Sequence, residues 1–243
     1  MSLFSRHRSY TEKVMAARKR MRALGKVLLV LLVVSLVRAL LIQTYRVGTT
    51  SMQPTLVPGD RIVSFPLPVG AVTIFGKLPR ITDMERGEMV IVSPDPFPTE
   101  SPWFLAWDSV ARFFTFQYYS PMGSRYGDDA ASPGVYRLIG LPGDTIRRKS
   151  AIYEVRPAGT STFSNEFALA KGSYALSGIV SDPRVSTTVG YTGEQTLAAN
   201  QYFVACDDRS LLAGAALWGP IGSERIVGRV VAICWPPNRL KIP

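Results

Sequence analysis

Chemistry in this 243-residue chain has to be made almost without histidine. The single one, His7, lies in a basic stretch at the start, so neither a zinc site nor a Ser-His-Asp triad can be assembled farther along. Short polar motifs remain. Ser51 follows the hydroxyl pair Thr49-Thr50 and precedes Met-Gln-Pro-Thr-Leu and Gly59-Asp60. Farther on come Arg137-Leu-Ile-Gly140-Leu-Pro-Gly-Asp144 and Cys206-Asp207-Asp208-Arg209. Taken alone, Ser51 suits a turn as well as a nucleophile, and Gly-Leu-Pro-Gly-Asp is ordinary turn chemistry. Neither cofactor nor metal is expected. An oxidising compartment would permit a bridge between Cys206 and Cys234, but two cysteines do not define one.

The elements that must hold these groups are mostly strands. Runs rich in Val, Ile and aromatics, broken by Gly and Pro, predict strands at 61–65, 88–93, 135–139, 145–147, 151–155, 201–205 and 226–233. Residues 157–200, rich in Gly, Ser, Thr and Ala, read as a peripheral β insertion with long loops. One segment breaks the pattern: residues 103–119 hold eight of the chain's 25 aromatics with one acid and one base. Such a stretch suits the headgroup region of a bilayer, where Trp and Tyr are favoured, or an insertion packed on the domain's own core.

Ahead of the strands stands Val27-Leu-Leu-Val-Leu-Leu-Val-Val-Ser-Leu-Val37, then Arg38 and Ala-Leu-Leu-Ile42. A helix over 27–45 would rise about 28 Å, close to the ~30 Å of a bilayer core, and Arg38 near its end can snorkel. The chain's net charge of +10 sits largely beside this run, because residues 1–26 carry eight basic groups against Glu12, +7, leaving +3 on the other 217 residues. That partition is a topology signal and argues against nucleic-acid binding, which needs cations spread over a folded face. The residues after Ile42 offer no small-x-small cleavage site. An uncleaved, single-pass anchor is therefore expected, with the basic arm in the cytoplasm and the β domain outside, an arrangement suited to a bacterial inner membrane.

In this setting the polar motifs resemble the type I signal peptidases. Arg46-Val-Gly-Thr-Thr-Ser51-Met-Gln-Pro-Thr-Leu resembles the family's nucleophile segment, Arg86-Gly-Glu-Met-Val-Ile-Val its next strand, and Arg137 to Asp144 its most recognisable motif. Asn200 to Arg209, followed by Gly228-Arg-Val, resembles its last conserved region, so the likeness threads residues 36–235 in order. The resemblance implies a mostly β, membrane-anchored serine endopeptidase that removes signal peptides after small residues at −1 and −3. It implies Ser51 as nucleophile, Thr49 and Ser51 at the oxyanion, and Arg137, Gly140, Asp144, Asp207 and Arg209 as framework. Implied partners are signal peptides of exported preproteins, the lipid bilayer, and the secretion machinery or another signal peptidase.

The chain departs from the family where the base should be. The family uses a buried neutral lysine directly before the motif's arginine, and this chain has Tyr136 there. At pH 7 a phenol with an ordinary pKa of ~10 is ionised to about one part in a thousand, an adverse factor of roughly 4 kcal/mol. Leu212, Gly214, Ala215 and Ala216 occupy places where the family has polar groups supporting the lysine. Lys77, Lys149 and Lys171 are candidates for a relocated base, and Asp207 is expected to pair with Arg137 or Arg209. Two readings stay open: a signal peptidase with an altered dyad, and a silent paralogue that binds signal peptides or a partner peptidase. The expected layout is a basic arm 1–26, an anchor 27–45, a catalytic-type β domain over 46–156 and 201–243, an aromatic insertion at 102–121 and a peripheral β insertion at 157–200.

Overall fold

The structure is a computed structural model, and it describes residues 10–70, 72–73, 76–77, 79–93, 101, 103–104, 107–108, 111, 115, 119–126, 133–149, 151–179, 193–211 and 218–242. It opens with a 31-residue helix, α1 (Tyr10–Leu40), that joins the basic arm to the apolar run without a break. Along it, Val27, Leu28, Leu29, Val30, Leu31 and Val33 are 44–60% exposed, so this apolar stretch is not packed on the rest of the chain. Among the described residues no helix is long and apolar enough to cross a membrane. The expected span over 27–45 is also shortened: the helix stops at Leu40, and Gln43–Arg46 forms a strand, β1. The physical reason is pairing, because Gln43 to Arg46 lie antiparallel to Ser64 to Arg61 of β2 (Arg61–Phe65), where their backbone groups find partners.

After β2 come a small hairpin, β3 (Val72–Thr73) and β4 (Gly76–Lys77), and then β5 (Met89–Val92). A one-turn helix, α2 (Pro121–Tyr126), precedes β6 (Gly134–Gly140), β7 (Thr145–Lys149) and β8 (Ile152–Arg156). Next are β9 (Ser164–Asn165), the short α3 (Glu166–Leu169), β10 (Gln195–Thr196), β11 (Gln201–Ala205), β12 (Ile221–Gly222) and the long β13 (Ile226–Trp235). All pair antiparallel, in a seven-stranded sheet of order β1-β2-β13-β5-β6-β11-β12 and a four-stranded sheet of order β10-β7-β8-β9. The mostly β expectation therefore holds. The four-stranded sheet joins strands from either side of residue 157, so the insertion does not make a sheet of its own.

Alternation along the strands divides the core by faces of the large sheet. Val90, Val92, Leu138, Tyr202, Val204 and Ile226 meet on one face, with Tyr136 packed against them. Met89 and Ile91 point to the other, where they join Val47, Met52, Leu56 and Ile62, with Val135 at the margin. On that second face Ile139, Phe203 and Ala205 also meet Ile146, Tyr153, Val155 and Leu197 of the smaller sheet and its flank.

The Gly-Leu-Pro-Gly-Asp motif is the corner between the two sheets. Asp144 folds it by accepting from the backbone N–H of Leu141 at 2.8 Å while its own N–H donates to the Leu141 carbonyl at 3.1 Å. Gly143 supplies the left-handed φ of +86° that the turn needs. Gly140 leaves room for the other sheet, since a Cβ there would lie 2.1 Å from Ile146 Cδ1. Arg86 clamps the corner with two bonds to Asp144, Nη2 to Oδ1 at 2.7 Å and Nε to Oδ2 at 3.0 Å.

Candidate active site

The segment carrying Ser51 leaves β1 and is tied back on itself. Val47 N–H donates to the Asp60 carbonyl and Gly59 N–H to that of Val47, while Asp60 Oδ2 accepts from Val57 N–H. Met52 and Leu56 are almost completely buried and pin the loop to the sheet's second face. These contacts explain why Ser-Met-x-Pro-Thr-Leu holds a fixed shape: polar groups close the loop and two apolar side chains anchor it. Ser51 Oγ ends 2.8 Å from Thr49 Oγ1, and Ser51 is only 9% exposed whereas Thr49 faces solvent. A hydroxyl pair of this geometry can orient the serine or present a donor to a developing oxyanion.

Behind the loop lies a buried charge pair. Arg137 donates to Asp207 through Nε and Nη2, both at 2.6 Å, and through Nη1 to the Gly87 carbonyl at 2.7 Å. Thr55, four residues after Ser51, donates its hydroxyl to Asp207 Oδ2 at 2.6 Å. Asp208 N–H donates to the Ser51 carbonyl at 2.9 Å, and Ser177 Oγ to that of Gln53 at 2.7 Å. Asp207 thus joins Arg137, one of its two expected partners. The other, Arg209, pairs with Glu166 at 2.6 Å. Glu166 also accepts from Tyr153 N–H at 2.9 Å and the Tyr174 hydroxyl at 2.8 Å, and the Tyr174 ring lies 4.0 Å from the Arg137 guanidinium carbon. Burial first, and the neighbouring Glu166 second, push the Tyr174 hydroxyl above its ordinary range.

Tyr136 is held differently. Its ring lies back over Gly134, where a Cβ would come within 2.6–2.9 Å of it, and meets Trp218 edge-on at 5.3 Å. Trp218 has the Arg225 guanidinium 4.9 Å from its ring centre. The pairing of Val204 with Leu138 and Ala205 with Arg137 brings Cys206 level with Tyr136. Burial, and after it the neighbouring Cys206, push the phenol up to about 12, while Arg225 acts in the opposite sense. The Tyr136 ring therefore packs on the face opposite to that holding Met52 and Leu56, and among the described residues no hydrogen bond joins it to Ser51.

The lysines expected as replacements do not supply a desolvated base. Lys149 and Lys171 are 74% and 63% exposed in their side chains and pair with Glu154 at 3.5 Å and Glu85 at 2.6 Å. The side chain of Lys77 and residues 212–217, with Leu212, Gly214, Ala215 and Ala216, lie outside the described residues. Cys206 and Cys234 are both free thiols, and Cys206 is buried with its pKa pushed up to about 12 by burial. Sequence reasoning passed over Thr55, Glu166 and Trp218. Thr55 stood inside the quoted serine motif, but Glu166 gives no local signal, because its partner Arg209 lies 43 residues away.

The fold and this site are those of a serine processing peptidase without histidine. The family profile described as signal peptidase, peptidase S26, matches residues 20–235, and the chain belongs to that family. Over 206 residues it is 25% identical to thylakoidal processing peptidase 1, chloroplastic, of Arabidopsis thaliana, covering 84% of this chain and 45% of that protein. Over 220 residues it is 21% identical to a probable signal peptidase I-2 of Synechocystis sp., covering 89% of this chain and 74% of that protein. The chain thus spans about half the length of the chloroplast relative.

Proposed function

We propose that this chain is a membrane-anchored relative of the signal peptidases that engages signal peptides of exported proteins, with Ser51 as nucleophile and Thr49 at the oxyanion. The observation that carries the reading is the Ser51–Thr49 hydroxyl pair, set at 2.8 Å in a loop locked to the Arg137–Asp207 pair, within a chain of this family. Tyr136 stands at the family's lysine position and makes turnover slow. With its phenol at about 12, only about one part in a hundred thousand is ionised at pH 7, an adverse factor of roughly 7 kcal/mol. The anchor is the apolar part of α1, whose exposed Val and Leu side chains have no protein partner to cover them and suit lipid. The basic arm then faces the cytoplasm of a bacterial cell, and the β domain lies beyond the inner membrane.

The Tyr136–Trp218 stack, with no basic side chain bonded to Ser51 among the described residues, favours a second reading, in which the chain binds signal peptides or a partner peptidase without cleaving. Full-length protein in detergent, offered a preprotein with an Ala-x-Ala site, separates the two. Slow cleavage that disappears in Ser51→Ala supports the peptidase. Peptide binding without any cleavage, unchanged in Ser51→Ala, supports the silent form. Tyr136→Lys is expected to raise cleavage by at least tenfold if the base is the missing part.

A further inference from the structure

The aromatic insertion is not packed away. Trp103 and Trp107 are helical, one turn apart, and 85% and 61% exposed, whereas Asp108 beside them is buried. Asp108 is the latch of this segment. One of its oxygens accepts from the Ser120 hydroxyl at 2.6 Å and from Met122 N–H at 3.0 Å, and Met122 at the start of α2 is itself buried. Ser120 in turn accepts from Gly123 N–H at 2.9 Å, so the carboxyl group fastens the tryptophan-bearing turn to the first turn of α2. Ser101 closes the other end, its hydroxyl and carbonyl both accepting from Phe104 N–H. A turn fixed on one side by a buried carboxyl presents its opposite side outward by construction, and that side carries two indoles.

We propose that this turn is an interfacial foot that seats the β domain on the bilayer, with Trp103 and Trp107 in the headgroup region, and the proposal rests on α1 being a membrane anchor. Three observations choose lipid over a peptide. The indoles stand out from the surface and line no cleft, which suits a deformable partner better than an extended chain. Indole places an apolar body and one N–H donor in a single rigid side chain, the combination favoured where hydrocarbon meets water. The cation Arg125 lies 5.7 Å over the ring of Phe104, next to Trp103, where it can meet a lipid phosphate. The two attachments have different roles: α1 retains the chain, and the foot fixes the tilt of the domain that carries Ser51.

The test uses the full chain in phosphatidylcholine–phosphatidylglycerol vesicles, with part of the phosphatidylcholine brominated on its acyl chains, and compares wild type with the Trp103→Phe, Trp107→Phe double variant. Both positions are exposed, so the double variant is expected to fold, and circular dichroism checks this. The expected result is tryptophan quenching by brominated lipid that falls at least twofold in the double variant. Quenching of equal size in both proteins overturns the foot, as does protection of the two indoles from acrylamide only when an Ala-x-Ala peptide is added in detergent. Carbonate extraction of the same vesicles reads the anchor separately. A chain retained with unquenched indoles overturns the foot alone, and a chain stripped off overturns the anchor as well.

Discussion

Tyr136 and Cys206 face each other across β6 and β11, and burial pushes both groups up to about 12 from ordinary values near 10 and 9. Each loses its proton later in the folded chain than in the unfolded one. Their contribution to stability is complete below pH 9 and is lost as pH rises through 12, with the phenol accounting for about 3 kcal/mol. Denaturant melts at pH 8, 10 and 12 are expected to show this decline, and Tyr136→Phe to remove part of it. An identical alkaline slope in that variant would sink the assignment. The same burial bears on catalysis, because the environment that would make a lysine a better base makes a phenol a worse one. A site can thus keep its shape and lose its chemistry through a change in which ionised form the surroundings disfavour.

The corner formed by residues 140–144 is where element and sequence correspond most directly. Gly140→Ala is expected to cost about 2 kcal/mol, because its Cβ would meet Ile146 Cδ1 at 2.1 Å and Leu197 Cδ1 at 3.0 Å. Adding Ile146→Val removes the first obstructing atom and should return part of the loss in a thermal melt. A single variant as stable as wild type would show that the two sheets do not need this close approach. The strands flanking the corner were legible because their apolar runs are local: 61–65 and 201–205 have the same bounds in sequence and structure. The end of α1 was not, since Gln43–Tyr45 are claimed by pairing with β2, a contact between segments some twenty residues apart that hydropathy does not register. The insertion was over-read for the same reason: β9 and β10 are two residues each and exist only as partners of β8 and β7. In the site, Ser51 and Thr49 were legible as neighbours, while the Arg209–Glu166 pair depends on folding that no short motif encodes.

At the scale of the molecule, Asp207 is the knot through which the nucleophile loop, the large sheet and the segment around Ser177 are fastened together. Asp207→Ala leaves the Arg137 charge buried without its partner, and a loss of 3–5 kcal/mol is expected, read as a lower melting temperature. Replacing both partners by apolar residues, Asp207→Leu with Arg137→Met, should recover part of the stability without restoring the loop, because Thr55 still lacks its acceptor. A fully stable Asp207→Ala chain would show that the pair is dispensable. One feature met at the outset of the fold has a bearing on substrates. Between Leu40 at the end of α1 and the loop bearing Ser51 stand a two-residue link and β1, four residues and about 13 Å long. With α1 seated in a bilayer as proposed, the hydroxyl is held at a set height above the lipid. The chain then works as a gauge: bonds near the membrane surface come within reach, and lengthening the polar stretch between a precursor's apolar segment and its cleavage point carries that bond past the serine.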